Sequence, residues 1–335
     1  MLLTKKTFTR QLQCTLVFLF AFLSLAVAAD RKDQAGTRVV WSDPGDIRSK
    51  DLLNGSGGEE GRPKLPVKFV AEDKKGHSSK LDVEDASGKK WKAKLGLEAQ
   101  AEVAANRLMW AVGYFVNENY FVHDLEVQGL PSQLHRGQGH VTSPGHVENV
   151  RLQRHFDKGK EDGDWSWRYN HIKGSREFNG LRVMMALISN WDLKDENNAI
   201  YRDKDGTERY MVTDLGTSFG ASGDRWTEAA GKNNLGEYKK AKFVTNATDK
   251  HVSFSFPRFP PFLYIFDLPH FWHQARLRWI GNNIPREDAK WIGGLLGQLS
   301  SKQIEDAFRA AGYSPSQVEQ FSKAVQARIA ELNRL

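Results

Sequence analysis

Residues 190–216 place two acidic sites before and after one short hairpin, and this limits how the rest of the chain can fold. In Asn190-Trp191-Asp192-Leu193-Lys194-Asp195-Glu196-Asn197, an acid stands five residues before an amide. Ala199-Ile200-Tyr201 and Arg209-Tyr210-Met211-Val212 flank a turn at Asp203-Lys204-Asp205-Gly206, so they read as paired strands. A second acid follows in Thr213-Asp214-Leu215-Gly216. Pairing the strands brings Asn197 and Asp214 together at one end. Phosphoryl transfer needs these residue types. One carboxylate takes or orients the proton of an attacking hydroxyl, while a second carboxylate and an amide oxygen hold a divalent cation. An EF-hand loop would need alternating oxygen ligands, a central Gly and a closing Glu, which this stretch lacks.

Upstream, Val67-Lys68-Phe69-Val70, Leu81-Asp82-Val83-Glu84-Asp85 and Lys90-Trp91-Lys92-Ala93-Lys94-Leu95 read as three strands, with a loop at 73–80 and a turn at Ser87-Gly88. A helix is expected from Leu97 to Val112, with Ala101, Ala104, Leu108, Ala111 and Val112 as its apolar stripe and Gly113 as its stop. Lys92 and Lys94 share one strand face, and periodicity does not choose between them. Glu98 and Glu102 share one helix face. Tyr114-Phe115-Val116 and Tyr120-Phe121-Val122 read as strands, Gly129 to His146 as a long loop, and Val147 to Leu152 as a further strand. A helix from Phe178 to Ile188, with Leu181, Met184, Met185 and Ile188 inward, delivers the chain into the acid–amide loop.

The spacing resembles the protein-kinase catalytic loop, His-Arg-Asp-Leu-x-x-x-x-Asn, and its metal-binding triplet, Asp-Phe-Gly. Here Asn190 and Trp191 stand in place of His-Arg, and Leu215 in place of Phe. This chain therefore resembles the wider, atypical kinase-like group: HipA-type, spore-coat and secreted casein-kinase-like kinases. The resemblance implies an α+β fold of two lobes. A small β-rich N-lobe with one helix would span 64–155, and a larger, mainly helical C-lobe 156–335. By resemblance, Asp192 positions the acceptor hydroxyl, and Asn197 and Asp214 hold Mg²⁺ or Mn²⁺. Lys94, in a setting like the family's x-Ala-x-Lys, pairs with Glu102 to orient the phosphates of ATP. The loop over the phosphates would offer Gly76, Ser78, Ser79 and Lys80, although it lacks Gly-x-Gly-x-x-Gly. The implied function is an exported, ATP- and metal-dependent phosphotransferase acting on a protein, sugar or lipid. The alternatives are a nucleotide-binding pseudokinase scaffold and an envelope structural protein with no nucleotide site.

Residues 1–29 read as a signal peptide. Lys5, Lys6 and Arg10 precede the apolar run Leu16 to Ala28, and Ala26-Val27-Ala28 forms a cleavage site. The run is too short to span a bilayer comfortably, so no stable membrane span is expected after cleavage. A periplasmic or secreted location follows. The single Cys, Cys14, lies in the leader, so the mature chain would rely on its core rather than on disulfides. The net charge of +7 includes the three leader cations, and no Lys/Arg run stands out, so charge does not argue for nucleic acid. The scattered His123, His135, His140 and His146 lack metal-ligand spacing. Residues 30–63, rich in Gly, Asp and Ser, are expected to form a flexible linker with room for a short element at Arg38-Val39-Val40-Trp41. Residues 222–250 read as polar and flexible, and Pro257 to Phe266 and His270 to His273 as packing. Three C-terminal helices open at Pro285, Ser301 and Ser314.

Overall fold

The computed structural model describes residues 37–74, 78–154, 159–190, 192–221, 223–224, 231–255, 257–258 and 277–335. The leader, Gly76, Trp191, Phe259 to Phe266 and His270 to His273 lie outside the described residues.

In chain order the first strands are β1 (Arg38–Val39), β2 (Val67–Asp73), β3 (Lys80–Glu84) and β4 (Lys90–Leu95), followed by helix α1 (Glu98–Ala111). Then come β5 (Asn119–Gln128), β6 (Val141–Ser143), β7 (His146–Arg154) and β8 (Gly159–Glu161). Strands β2, β3 and β4 pair antiparallel in succession, β4 pairs with β7, and β7 pairs with β5. β5 returns parallel to β2 through Val67 and Val127. Five strands thus close on themselves, and β6 is attached to β7. Strand alternation sends Leu81, Val83, Trp91, Ala93, Leu95, Leu125, Val127, Val150 and Leu152 into one apolar interior. It leaves Lys92 and Lys94 on the outer face of β4.

The turn between β3 and β4 is organised by Asp85. Its carboxylate accepts the Trp91 indole N–H at 3.0 Å, the Ser87 hydroxyl at 2.6 Å and the Lys89 N–H at 3.0 Å. Burial opposes its ionisation, but these donors more than offset that and hold its pKa at about 2. A depressed carboxyl stabilises the fold above its unfolded value of 3.8 and loses that contribution as pH falls through about 2. Asp85→Ala should lower unfolding stability by about 2–3 kcal/mol at neutral pH, because it strands a buried indole N–H. Urea titration at pH 7 checks this, and the gap between variant and wild type should narrow towards pH 2.

Helix α1 is buried on nearly every side, from Ala99 through Ala111, apart from Gln100 and the half-buried Trp110. The expected apolar stripe understated this. The helix lies between the strands and a C-terminal helix, and its alanines permit close approach on both sides. Tyr120 to Val122 lie in β5 as expected. Tyr114 makes only an isolated bridge to Trp41, and its hydroxyl donates to the Glu177 carbonyl at 2.8 Å.

A short strand stands where an element was expected at Arg38 to Trp41, but the rest of 37–62 differs from the linker expectation. β1 pairs parallel with strand β10 (Glu208–Val212). Trp41 Nε1 donates to the Val112 carbonyl at 2.6 Å, and Tyr120 donates its hydroxyl to the Gly58 carbonyl at 2.9 Å. Gln303 Nε2 donates to the carbonyls of Ile47 and Lys50, each at 2.9 Å. The glycines here serve close approach rather than mobility. Gly55, at φ +72°, sits so near the Arg107 guanidinium that a Cβ would lie 2.4 Å from it. The segment therefore straps the far end of α1 to both halves of the molecule.

The C-terminal half holds α2 (Arg176–Leu187), β9 (Asn198–Asp203), β10, α3 (Leu235–Lys240), α4 (Arg286–Leu296), α5 (Ser301–Ala310) and α6 (Pro315–Leu332). Strands β1, β10, β9 and β8 form one of its sheets, and two smaller sheets lie at 223–258 and 244–285. Ser300 and Ser314 open α5 and α6 with capping boxes. The fold is α+β, β-rich in its N-terminal part and mainly helical in its C-terminal part, as expected. Among the described residues, no helix is long and apolar enough to cross a membrane.

Candidate functional site

Strand β4 carries Lys94 to the seam between the two halves, where it is 1% exposed. Its Nζ lies 3.2 Å from Glu102 Oε2, 2.6 Å from Glu98 Oε2 and 3.0 Å from Asp214 Oδ1. The two glutamates come from successive turns of α1, and Asp214 comes from the end of β10. Lys92 is 31% exposed and pairs instead with Asp73 and Asp82. Of the two lysines that share this strand face, Lys94 is the buried one.

Glu102 is braced from its other side. Arg151 of β7 places Nη2 3.1 Å from Glu102 Oε1. Since β4 and β7 are paired, with Lys94 opposite Arg151, two cations share the carboxylate that α1 presents. Nothing in the sequence marked Arg151, because the pairing of β4 with β7 joins strands far apart in the chain.

The acid–amide loop is fixed by Asn190, which is fully buried. Its Nδ2 donates to the Asp214 carbonyl at 3.2 Å, while its Oδ1 accepts the Thr217 hydroxyl at 2.8 Å and the Asp192 N–H at 3.1 Å. One amide side chain thus ties Asp192 to the triplet, although the sequence marks Asn190 only as a departure from the family pattern. Asn197 Nδ2 donates to the Asp192 carbonyl at 2.8 Å, and the Asn197 carbonyl accepts the Thr213 N–H at 2.9 Å. The hairpin register, with Asn198 opposite Val212, places Asn197 next to Thr213 and Asp214. Lys194, unmarked by the spacing argument, lies 3.2 Å from Asp192 Oδ1. It puts a cation beside the Asp192 carboxylate.

Electrostatics follow from this geometry. Burial would strip the Lys94 proton, but Glu102, Asp214 and Glu98 more than offset it and hold the ammonium well above the usual lysine range. Burial also opposes ionisation of Asp214, yet Lys94 and the Gly216 N–H, which donates to Oδ1 at 3.1 Å, keep its pKa at about 2. The Asp214 side chain remains 28% exposed, so it is open to a ligand. Gly216 is required by proximity: a Cβ there would lie 2.9 Å from Lys94 Nζ and 2.8 Å from Glu98 Cβ.

Of the expected phosphate-loop residues, Ser78 donates its hydroxyl to Glu98 Oε2 at 3.1 Å, close to Lys94. Ser79 turns away and donates to the Arg136 carbonyl at 3.0 Å. Lys80 sits opposite Lys94 across β3 and β4. It makes no ion pair among the described residues, and burial together with the nearby Lys94 lowers its pKa. A separate cavity of about 360 Å³ is lined by Lys50, Trp110, Phe115, Arg154 and Arg209. Trp110 is about 18 Å along α1 from Glu98, so this cavity is not part of the site.

The donor set suits a divalent cation. Asp214 supplies a carboxylate and Asn197 an amide oxygen that accepts no hydrogen bond among the described residues. Such hard oxygen donors match the chemistry of Mg²⁺ or Mn²⁺. Among the described residues there is no group of three or more His, Cys, Asp and Glu that could hold a metal by itself.

No family model matches the chain, and no curated protein does. Solved structures similar to it include three kinases. The proinflammatory kinase CtkA of Helicobacter pylori is 10% identical, with a TM-score of 0.44, over 81% of this chain and 98% of that one. The Rio2 kinase–ADP/Mg²⁺–phosphoaspartate complex of Chaetomium thermophilum is 11% identical, with a TM-score of 0.34, over 78% of this chain and 72% of that one. The golgi casein kinase is 10% identical, with a TM-score of 0.32, over 81% and 75%. The likeness is to kinases, and the roles of individual side chains rest on the chain's own geometry.

Proposed function

We propose that this chain is a kinase-like phosphotransferase that uses ATP with Mg²⁺ or Mn²⁺ and acts after export. The observation that carries the reading is the meeting of Lys94, Glu102 and Asp214 at one seam, from a strand, a helix and a loop, with Asp192 and Asn197 tied to the same loop. Lys94, oriented by Glu102 and Arg151, would hold nucleotide phosphates. Asn197 and Asp214 would hold the metal, which when bound neutralises charge developing on the transferred group. Asp192 would accept the acceptor hydroxyl's proton, and Lys194 would face the transferred phosphoryl group. Asn190 keeps Asp192 and Asp214 in register without touching substrate.

Mg·ATP should raise the melting temperature, and γ-labelled ATP should pass its label to an acceptor in a mixture of exported proteins, glycans and lipids. A melting shift without label transfer would support the pseudokinase reading, which the saturation of Lys94 by three carboxylates favours. Neither a shift nor transfer would refute both.

A further inference from the structure

Glu98 is the one carboxylate of the Lys94 cluster to which the proposed chemistry gives no task. Glu102, deeper and braced by Arg151, already orients Lys94. Glu98 nevertheless gathers an unusual set of donors. Its Oε2 lies 2.6 Å from Lys94 Nζ and accepts the Ser78 hydroxyl at 3.1 Å. Its Oε1 lies 2.8 Å from Lys232 Nζ. Lys80 lies beside Lys94 with no ion pair among the described residues. Two ammonium groups and a hydroxyl converging on one anion, with a third cation alongside, form the donor set of a phosphate site.

Lys232 reaches this point because its segment is fastened to the stretch that follows Asp214. The Asn233 N–H donates to the Ser218 carbonyl and the Asn234 N–H to the Phe219 carbonyl, each at 2.8 Å. Asn233 Nδ2 donates to the Leu97 carbonyl at 3.1 Å, and Tyr313 donates its hydroxyl to Asn233 Oδ1 at 2.5 Å. The backbone that follows Lys232 is thus anchored, through Asn233 and Asn234, to three parts of the chain. Glu98 stands in the first turn of α1 and is 15% exposed, on a side chain with rotatable bonds.

We propose that the Glu98 carboxylate stands in for a nucleotide phosphate, and that Lys232, with Lys80 and Ser78, joins Lys94 in binding that phosphate once Glu98 turns away. The inference rests on the nucleotide reading above. Glu98 then acts as an internal competitor that weakens nucleotide binding by whatever its own contacts contribute.

Calorimetry on the full chain with Mg·ADP and with adenosine tests this. Glu98→Gln should bind Mg·ADP roughly tenfold more tightly, a typical size for such coupling, with adenosine binding unchanged. Adding Lys232→Met to Glu98→Gln should abolish the gain. Glu98→Asp, whose shorter carboxylate withdraws from Lys232, should shift affinity the same way if Glu98→Gln folds poorly, and melting curves identify that case. Weaker or equal Mg·ADP binding by a well-folded Glu98 variant would overturn the proposal, as would an indifferent Lys232→Met. In either case nucleotide binding itself would stand. Absence of Mg·ADP binding in every form would overturn the nucleotide reading and this inference with it.

Discussion

Asp192→Asn should cut phosphoryl transfer by roughly 10²–10⁴ while leaving Mg·ADP affinity within about twofold. The substitution keeps shape and removes the negative charge, and with it the ion pair to Lys194 and the capacity to take a proton. Asp192 stands outside the Lys94 cluster, with its side chain partly exposed and paired to Lys194. Its main chain is held independently, by Asn190 at the N–H and by Asn197 at the carbonyl. The loop should therefore survive the change, and a loss in turnover would report chemistry. Single-turnover transfer of labelled phosphate measures it. Unchanged turnover in a well-folded variant would remove Asp192 from the reaction.

Lys94→Met should have the largest effect on the fold. It leaves Glu98, Glu102 and Asp214 clustered around a vanished cation, with Arg151 and Lys232 serving only the two glutamates. Removing one partner from a buried ionic group costs about 3–5 kcal/mol, and nucleotide binding should be lost with it. The pH dependence has a definite sign. The raised Lys94 contributes stability below its unfolded value of 10.5 and loses it only as pH rises through a still higher folded value. The depressed Asp214 contributes above its unfolded 3.8 and loses stability as pH falls through about 2. The wild-type cluster is thus intact between roughly pH 4 and 10. In Lys94→Met the carboxylates lack their counter-charge, so the deficit should shrink as they protonate towards pH 4. Urea midpoints across that range check it. A variant as stable as the wild type at pH 7 would mean that the cluster adds nothing to the fold.

Local pattern made the strands, α1, the hairpin and the C-terminal helices legible, because each shows its own period and its own punctuation. What the sequence concealed came from contacts between distant segments. Arg151 reaches Glu102 only because β7 pairs with β4. Asn190 gains its role from Thr217 and the Asp214 carbonyl. The strap at 37–62 shared its composition with a linker, and the partners that order it, Gln303 and Trp110, lie on helices elsewhere. In α1, the amphipathic stripe was a poor guide because both faces of the helix are covered. Lys94 and Lys92 illustrate the limit of periodicity: the same strand face held one buried and one half-buried lysine, and only the docking of α1 separates them.

The central claim is that the end of the hairpin and strand β4 share one metal–nucleotide site. Titrating ADP into the full chain with and without Mg²⁺, and into Asp214→Ala, measures this most directly. The account predicts magnesium-dependent binding by the wild type and its loss in Asp214→Ala. Binding of equal strength in the variant, or binding indifferent to magnesium, would contradict it.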